Sequence, residues 1–125
     1  MEKKNNNLEL YCVTNKRLKF LEKTSYKLGW VGLHKAPDNY IKCDSGKNIF
    51  FKEKFYSELT FHYWYWKNKL NLNNTNWVGF CQKRRFWVKT NYNKNEINIK
   101  NINKHILFEP EEDWNKYDSI ICEPI

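Results

Sequence analysis

A chain of 125 residues is long enough for one domain with a real hydrophobic core and too short for two. Aromatic residues make up 18% of it, which excludes disorder throughout, and a formal net charge of +8 points to anionic partners such as nucleic acid, a membrane surface or phosphorylated small molecules. No apolar run approaches the roughly 20 residues needed to cross a bilayer, so no transmembrane segment is expected.

The polar start MEKKNNN lacks the features of a signal peptide. After it, LELYCVT (Leu8–Thr14) is a short run of strand formers and predicts an opening strand, with the first loop beginning at NKRLK. GWVGLHK (Gly29–Lys35) predicts a second strand, weakened by its glycines. APDNY then reads as a turn, because Pro37 fixes its φ and the side chains of Asp38 and Asn39 can bond to nearby backbone. KCDSGKN (Lys42–Asn48) predicts a loop.

KEKFYSELTFHYWYWKNKL (Lys52–Leu70) is the densest segment. Phe55, Leu59, Tyr63, Trp66 and Leu70 recur at three- and four-residue steps, which predicts one helix with Phe55, Leu59, Tyr63 and Trp66 largely buried. Tyr56, Phe61, Trp64 and Tyr65 add aromatics on its other faces and predict cover on most sides. Glu58 and His62 stand four apart and are expected to be neighbours on one face, as a polar pair within a core helix. On this reading Trp66→Ala costs about 3–5 kcal/mol.

NLNNTN (Asn71–Asn76) predicts a loop, and WVGFC (Trp77–Cys81), apolar on both alternating faces, predicts a central strand buried on both sides. The stretch Lys89–His105 mixes Lys with Asn and Ile, which coding bias explains as well as selection for charge. EPEEDW (Glu109–Trp114) has the proline and acids of a helix's first turn, and YDSIICEPI (Tyr117–Ile125) predicts a closing strand. Strand segments separated by helical ones imply an α/β fold: a mostly parallel sheet with flanking helices.

Cys12, Cys43, Cys81 and Cys122 lie far apart, which argues against a zinc knuckle or a redox dithiol and predicts buried, reduced thiols in a cytoplasmic protein. His34, His62 and His105 are isolated in sequence and read as structural or exposed. There is no glycine-rich phosphate loop, no histidine pair on a helix, no nucleophile elbow and no close carboxylate pair suited to a metal.

The chemistry concentrates in GFCQKRRFW (Gly79–Trp87), where three cations stand inside an apolar frame at a strand's carboxyl end. Open α/β sheets bind ligands outside those ends. Arginine presents a planar fork that matches phosphate oxygens, so Lys83, Arg84 and Arg85 suit a diphosphate. The other reading pairs Arg84 and Arg85 with Glu or Asp elsewhere as structural bridges. The strand-end position leads to the expectation that at least one of the two arginines faces a cleft, and since adjacent residues on an extended chain point opposite ways, one of them alone can do so.

KNIF, YSELTFHYWYWKN and NWVGFCQKRRFW together resemble a bacterial glycosyltransferase-like domain family of capsule and exopolysaccharide gene clusters. The matching residues are Asn48 and Ile49, then Tyr56, Glu58, Leu59 and Thr60, then Tyr63, Trp64, Trp66, Lys67 and Asn68, and finally Gly79, Arg84, Arg85 and Phe86. YCVTNK is similar to that family's opening strand. Departures stand at Lys47 (usually Asp), Asn15 (usually His) and Gln82–Lys83 (usually His-Tyr). The resemblance covers most of this chain but about the first half of the family domain, which implies an incomplete version of it.

What the resemblance implies is a single glycosyltransferase-like domain over residues 1–125, similar to the nucleotide-sugar-binding half of a GT-A-like enzyme and serving surface polysaccharide assembly. Its partners would be a nucleotide-sugar donor and a glycan acceptor. Thr14, Asn48, Glu58, Lys83, Arg84 and Arg85 would contact the donor and its diphosphate, while the catalytic residue stays unassigned. Cations take the place where many such folds carry an acidic metal-binding motif, so no metal and no other cofactor are expected. The rival readings are a nucleic-acid-binding basic module, with aromatics stacking bases beside the cations, and a noncatalytic remnant of the family.

Overall fold

The computed structural model describes residues 7–73, 76–90 and 93–122. The lead through Asn6, part of the Asn71–Asn76 loop and the last three residues of the expected closing strand lie outside the described residues.

Four strands form one sheet: β1 (Leu8–Thr14), β2 (Lys27–Trp30), β3 (Ile41–Lys42) and β4 (Trp77–Gln82). All pairings are parallel and the order is β3-β2-β1-β4. Short helices flank the sheet: α1 (Lys19–Glu22), α2 (Glu53–Tyr56), α3 (Leu59–Asn68) and α4 (Ile102–His105). The α/β architecture expected from the sequence is therefore present.

β1 is one of the two inner strands, buried from Leu10 to Thr14 on both faces, as a parallel strand covered on both sides must be. Leu10 and Cys12 enter one core with Leu21, Tyr26, Leu28, Cys81, Ile102 and Ile106. Tyr11 and Val13 enter a second core with Val31, Cys43, Phe61, Trp64 and Tyr65. α3 thus covers one face, and α1 with the segment around α4 covers the other.

Several expectations need correction. β4 stands at the edge of the sheet, beside β1 alone, and its residues are half-buried apart from Cys81 and Gln82. The predicted single helix over Lys52–Leu70 is a 3-10 turn (Phe50–Lys52), then α2, then α3. Ser57 breaks it with φ 46° and ψ −124°, a conformation costly for a residue with a Cβ, and its carbonyl accepts from both the Thr60 N–H (3.1 Å) and the Thr60 hydroxyl (2.7 Å).

The buried face of α3 is also not the expected one. Thr60, Phe61, Trp64 and Tyr65 are buried, whereas Phe55 (77% exposed), Leu59 (53%) and Trp66 (58%) face solvent. The reason lies in the sheet. Gly29 leaves room for the Phe61 ring, since a Cβ there would come within 2.6 Å of Phe61 Cε2. The polar tips that burial would otherwise orphan find acceptors: Trp64 Nε1 donates to Ser45 Oγ (3.3 Å) and the Tyr65 hydroxyl to Glu9 Oε2 (3.1 Å).

Towards the carboxyl end, Glu112–Lys116 is a 3-10 helix, and residues 117–122 are irregular, with a bend at Asp118, in place of the expected strand. Cys12, Cys43 and Cys81 are buried free thiols as expected, but Cys122 is exposed because no strand forms to bury it. The Asn/Lys-rich stretch supplies Ile102 to the core, and Ile106 and Leu107 just after it join the core as well, which periodicity did not reveal.

Candidate functional site

Strands β1, β2 and β3 are laid down in one direction across the sheet, and β4 then returns to the other side of β1. The sheet order reverses between β1 and β4. In open α/β sheets the crevice outside the carboxyl ends at such a reversal is where ligands bind. The residues that follow those two strands here are Asn15 and Lys16 after β1, and Lys83, Arg84 and Arg85 after β4.

The apolar frame of GFCQKRRFW now has a physical account. Arg85 N donates to the Gln82 carbonyl (3.1 Å), closing a tight turn with Lys83 and Arg84 at its tip. Behind the turn the chain is clamped. The Trp87 indole donates to the Phe80 carbonyl (3.0 Å), the Tyr26 hydroxyl donates to the Trp87 carbonyl (2.9 Å), and Phe86 stacks on Tyr26 with centroids 6.0 Å apart. Apolar anchors on both sides therefore hold a cationic loop out over the carboxyl edge.

Lys83 is half-buried, and its ammonium donates to Asn15 Oδ1 at 2.9 Å, bridging the ends of β4 and β1. Arg84 and Arg85 are exposed, and neither is in an ion pair; the pairs among the described residues are Arg17–Glu22 and Lys27–Glu9. Among the described residues, then, no carboxylate holds either arginine as a structural bridge. Both guanidinium groups are on exposed residues, and the cavities described among these residues lie elsewhere. One opens at the opposite, amino end of the sheet, lined by Leu8, Glu9, Asn76 and Phe108. Two others lie beside α4 and beside the Leu107–Asp113 segment.

Glu58 comes from the joint between α2 and α3, and its carboxylate accepts from the Gln82 side-chain amide, so it sits at the root of the cationic turn. Thr14, nine-tenths or more buried, uses its hydroxyl on the loop after β1, donating to the Lys16 carbonyl (2.7 Å) and accepting from Lys16 N–H (3.0 Å). It shapes the loop that carries Asn15. Asn48 lies apart, in the loop after β3, where it accepts from Phe50 N–H (3.2 Å) and donates to the Gly46 carbonyl (3.0 Å). Thr14, Glu58 and Lys83–Arg85 therefore gather at the ends of β1 and β4, whereas the Asn48 side-chain hydrogen bonds among the described residues stay within its own loop.

Two further residues bear on this edge. Asn68, at the end of α3, brackets the loop before Asn48: its amide donates to the Lys47 carbonyl (2.8 Å), and its carbonyl oxygen accepts from Lys47 N–H (3.3 Å). Gly46 beside it has φ 56°, in the region glycine adopts at no steric cost. His62, one turn after Glu58, stacks on Phe80 with centroids 4.2 Å apart, and burial pushes its pKa down against the opposing charge of Glu58. The helical spacing of Glu58 and His62 was the signal for that proximity, but the Glu58 carboxylate bonds Gln82 instead. Among the described residues no group of three or more His, Cys, Asp or Glu forms a metal-binding cluster.

A sequence profile for the family described as Domain of unknown function (DUF4422) matches residues 9–124. No curated protein and no solved structure matches the chain.

Proposed function

The chain belongs to the DUF4422 family. We propose that it is a glycosyltransferase-like domain that binds the diphosphate of a nucleotide-sugar donor at the carboxyl ends of β1 and β4, for transfer to a glycan acceptor in surface polysaccharide assembly. One observation carries the reading: a cationic turn, with two exposed arginines that pair with no carboxylate among the described residues, stands at the point where the strand order reverses. Departure of a nucleoside diphosphate from a sugar builds negative charge on the leaving oxygens. Fixed guanidinium and ammonium groups stabilise that charge without a metal. A GT-A-like arrangement and a cytoplasmic setting belong to the same proposal; the buried free thiols of Cys12, Cys43 and Cys81 agree with a reducing compartment.

The rival reading as a nucleic-acid module needs rings free to stack on bases beside the cations. The nearest aromatics do not offer that: Phe86 packs on Tyr26 and Phe20, and Trp87 on Trp114. Calorimetry with a nucleoside diphosphate, the parent nucleoside and single-stranded DNA separates the readings. The expected result is diphosphate binding unaffected by EDTA and weakened by about 1.5–3 kcal/mol in Arg84→Ala or Arg85→Ala, with partial rescue by Lys. Equal affinity for nucleoside and diphosphate, or tighter binding of DNA, defeats the proposal.

A further inference from the structure

The apolar stripe that looks like core in the sequence faces outward in the fold. Leu59, Tyr63 and Trp66 follow one another at four- and three-residue steps along one face of α3, with Tyr63 half-buried between its two exposed neighbours; Leu70 lies just past the end of α3, and Phe55 precedes it in α2, before the Ser57 break. Phe55 is 77% exposed, Trp66 58% and Leu59 53%. Large apolar side chains grouped on a surface mark an interaction face.

Cations are interleaved with the rings. The Lys67 ammonium sits 3.6 Å from the Trp66 ring centroid and 5.8 Å from that of Tyr63, and the Lys52 ammonium 5.7 Å from that of Phe51. Lys54 and Lys69 are exposed on the same two helices and their ends. α3 contains no Asp or Glu, and Glu58, just before it, is turned onto Gln82.

We propose that this face docks on an anionic lipid bilayer surface, with Phe55, Leu59 and Trp66 entering the headgroup boundary and the lysines reaching lipid phosphates. Amphipathic rings favour that boundary, and lysine stems lie along apolar surface while their ammonium groups stay with the phosphates. A helix face of this make-up, basic and aromatic, lies in the interface plane and does not span it. Charge decides between occupants. A second copy of the chain would set Lys52, Lys54, Lys67 and Lys69 against their counterparts, with the half-buried Glu53 as the one acid within α2 and α3 to oppose them, on molecules that each carry +8. Stacked nucleobases would need the face of Trp66 that its own Lys67 covers. The inference uses a surface other than the cationic turn and does not depend on the diphosphate reading.

Co-sedimentation tests it, with vesicles of equal parts phosphatidylglycerol and phosphatidylcholine set against vesicles of phosphatidylcholine alone. The chain is expected to pellet with the anionic vesicles, less so at high salt, and weakly with the neutral ones. Lys67→Gln with Lys69→Gln lowers the anionic partition coefficient by about thirtyfold, and Phe55→Ala with Trp66→Ala by at least about tenfold. All four side chains are exposed, so thermal melts of both variants stay near wild type, and the lysine variant serves alone if the aromatic one unfolds. The proposal is overturned if anionic vesicles bind no protein, if both variants bind like wild type, or if sedimentation velocity shows self-association that the Phe55/Trp66 variant abolishes. Vesicle-bound protein fully displaced by single-stranded DNA would overturn it as well.

Discussion

Lys83 Nζ and Asn15 Oδ1 meet at 2.9 Å across the ends of β4 and β1, joining two positions at which this chain departs from the motif it otherwise resembles. The two departures form one contact, which fixes the cationic turn over β1.

Removing Lys83 should therefore act on binding more than on folding. Lys83→Ala is expected to weaken nucleoside diphosphate binding by about tenfold, and Asn15→Ala by less, because Asn15 positions the ammonium without carrying charge. Neither should lower stability by more than about 1 kcal/mol, since the contact is solvent-accessible. Calorimetry with denaturant melts of both single variants and the double variant checks this; additive binding losses would show that the two side chains act separately.

Phe61 and Trp66 should exchange the roles that the sequence suggests. Phe61 is fully buried against Gly29, Tyr11 and Trp64, so Phe61→Ala is expected to cost about 3–5 kcal/mol. Trp66→Ala should cost less than about 1 kcal/mol. Gly29→Ala drives a methyl toward the Phe61 ring and should cost about 1–3 kcal/mol. Urea melts measure all three, and a Trp66→Ala loss as large as that of Phe61→Ala would contradict the placement of α3.

His62 predicts a pH dependence. Its folded pKa lies below the ordinary 6.5 because burial disfavours the imidazolium, and Glu58 offsets this in part. As pH falls through about 6.5 the unfolded chain takes up the proton first, so stability declines with falling pH and levels off once the folded form is protonated too. His62→Gln should flatten that part of the curve relative to wild type. Melts from about pH 7 to about pH 5 decide, and parallel curves for the two proteins would rule out the contribution.

The cysteines should divide by burial. Burial, with the nearby charge of Asp44, pushes the Cys43 thiol up to about 11, and that thiol donates to the Trp30 carbonyl (3.3 Å). Cys12 and Cys81 lie opposite each other in the β1–β4 register, and their mutual hydrogen bond and burial raise the Cys81 thiol further. Alkylation of the native chain should modify exposed Cys122 first and leave the other three until denaturant is added. Mass spectrometry of the labelled peptides reads the order, and early labelling of Cys43 would contradict its burial.

Local sequence settled what local physics controls. LELYCVT predicts β1 at its observed bounds, because a run of strand formers closed by polar residues leaves little freedom, and WVGFC predicts β4 to within a residue. The cations at a strand's carboxyl end were legible for the same reason. The helix was legible as a period but not as a phase: α3 carries two apolar stripes side by side, Leu59–Tyr63–Trp66 and Phe61–Trp64–Tyr65. Periodicity alone does not choose between them. The choice fell to the space above Gly29 and to the acceptors Ser45 and Glu9, all distant in sequence. The edge position of β4, the failure of Tyr117–Cys122 to pair and the meeting of Lys83 with Asn15 are likewise decisions of tertiary structure, since strand order and neighbours arise only when separate segments compete for the same sheet.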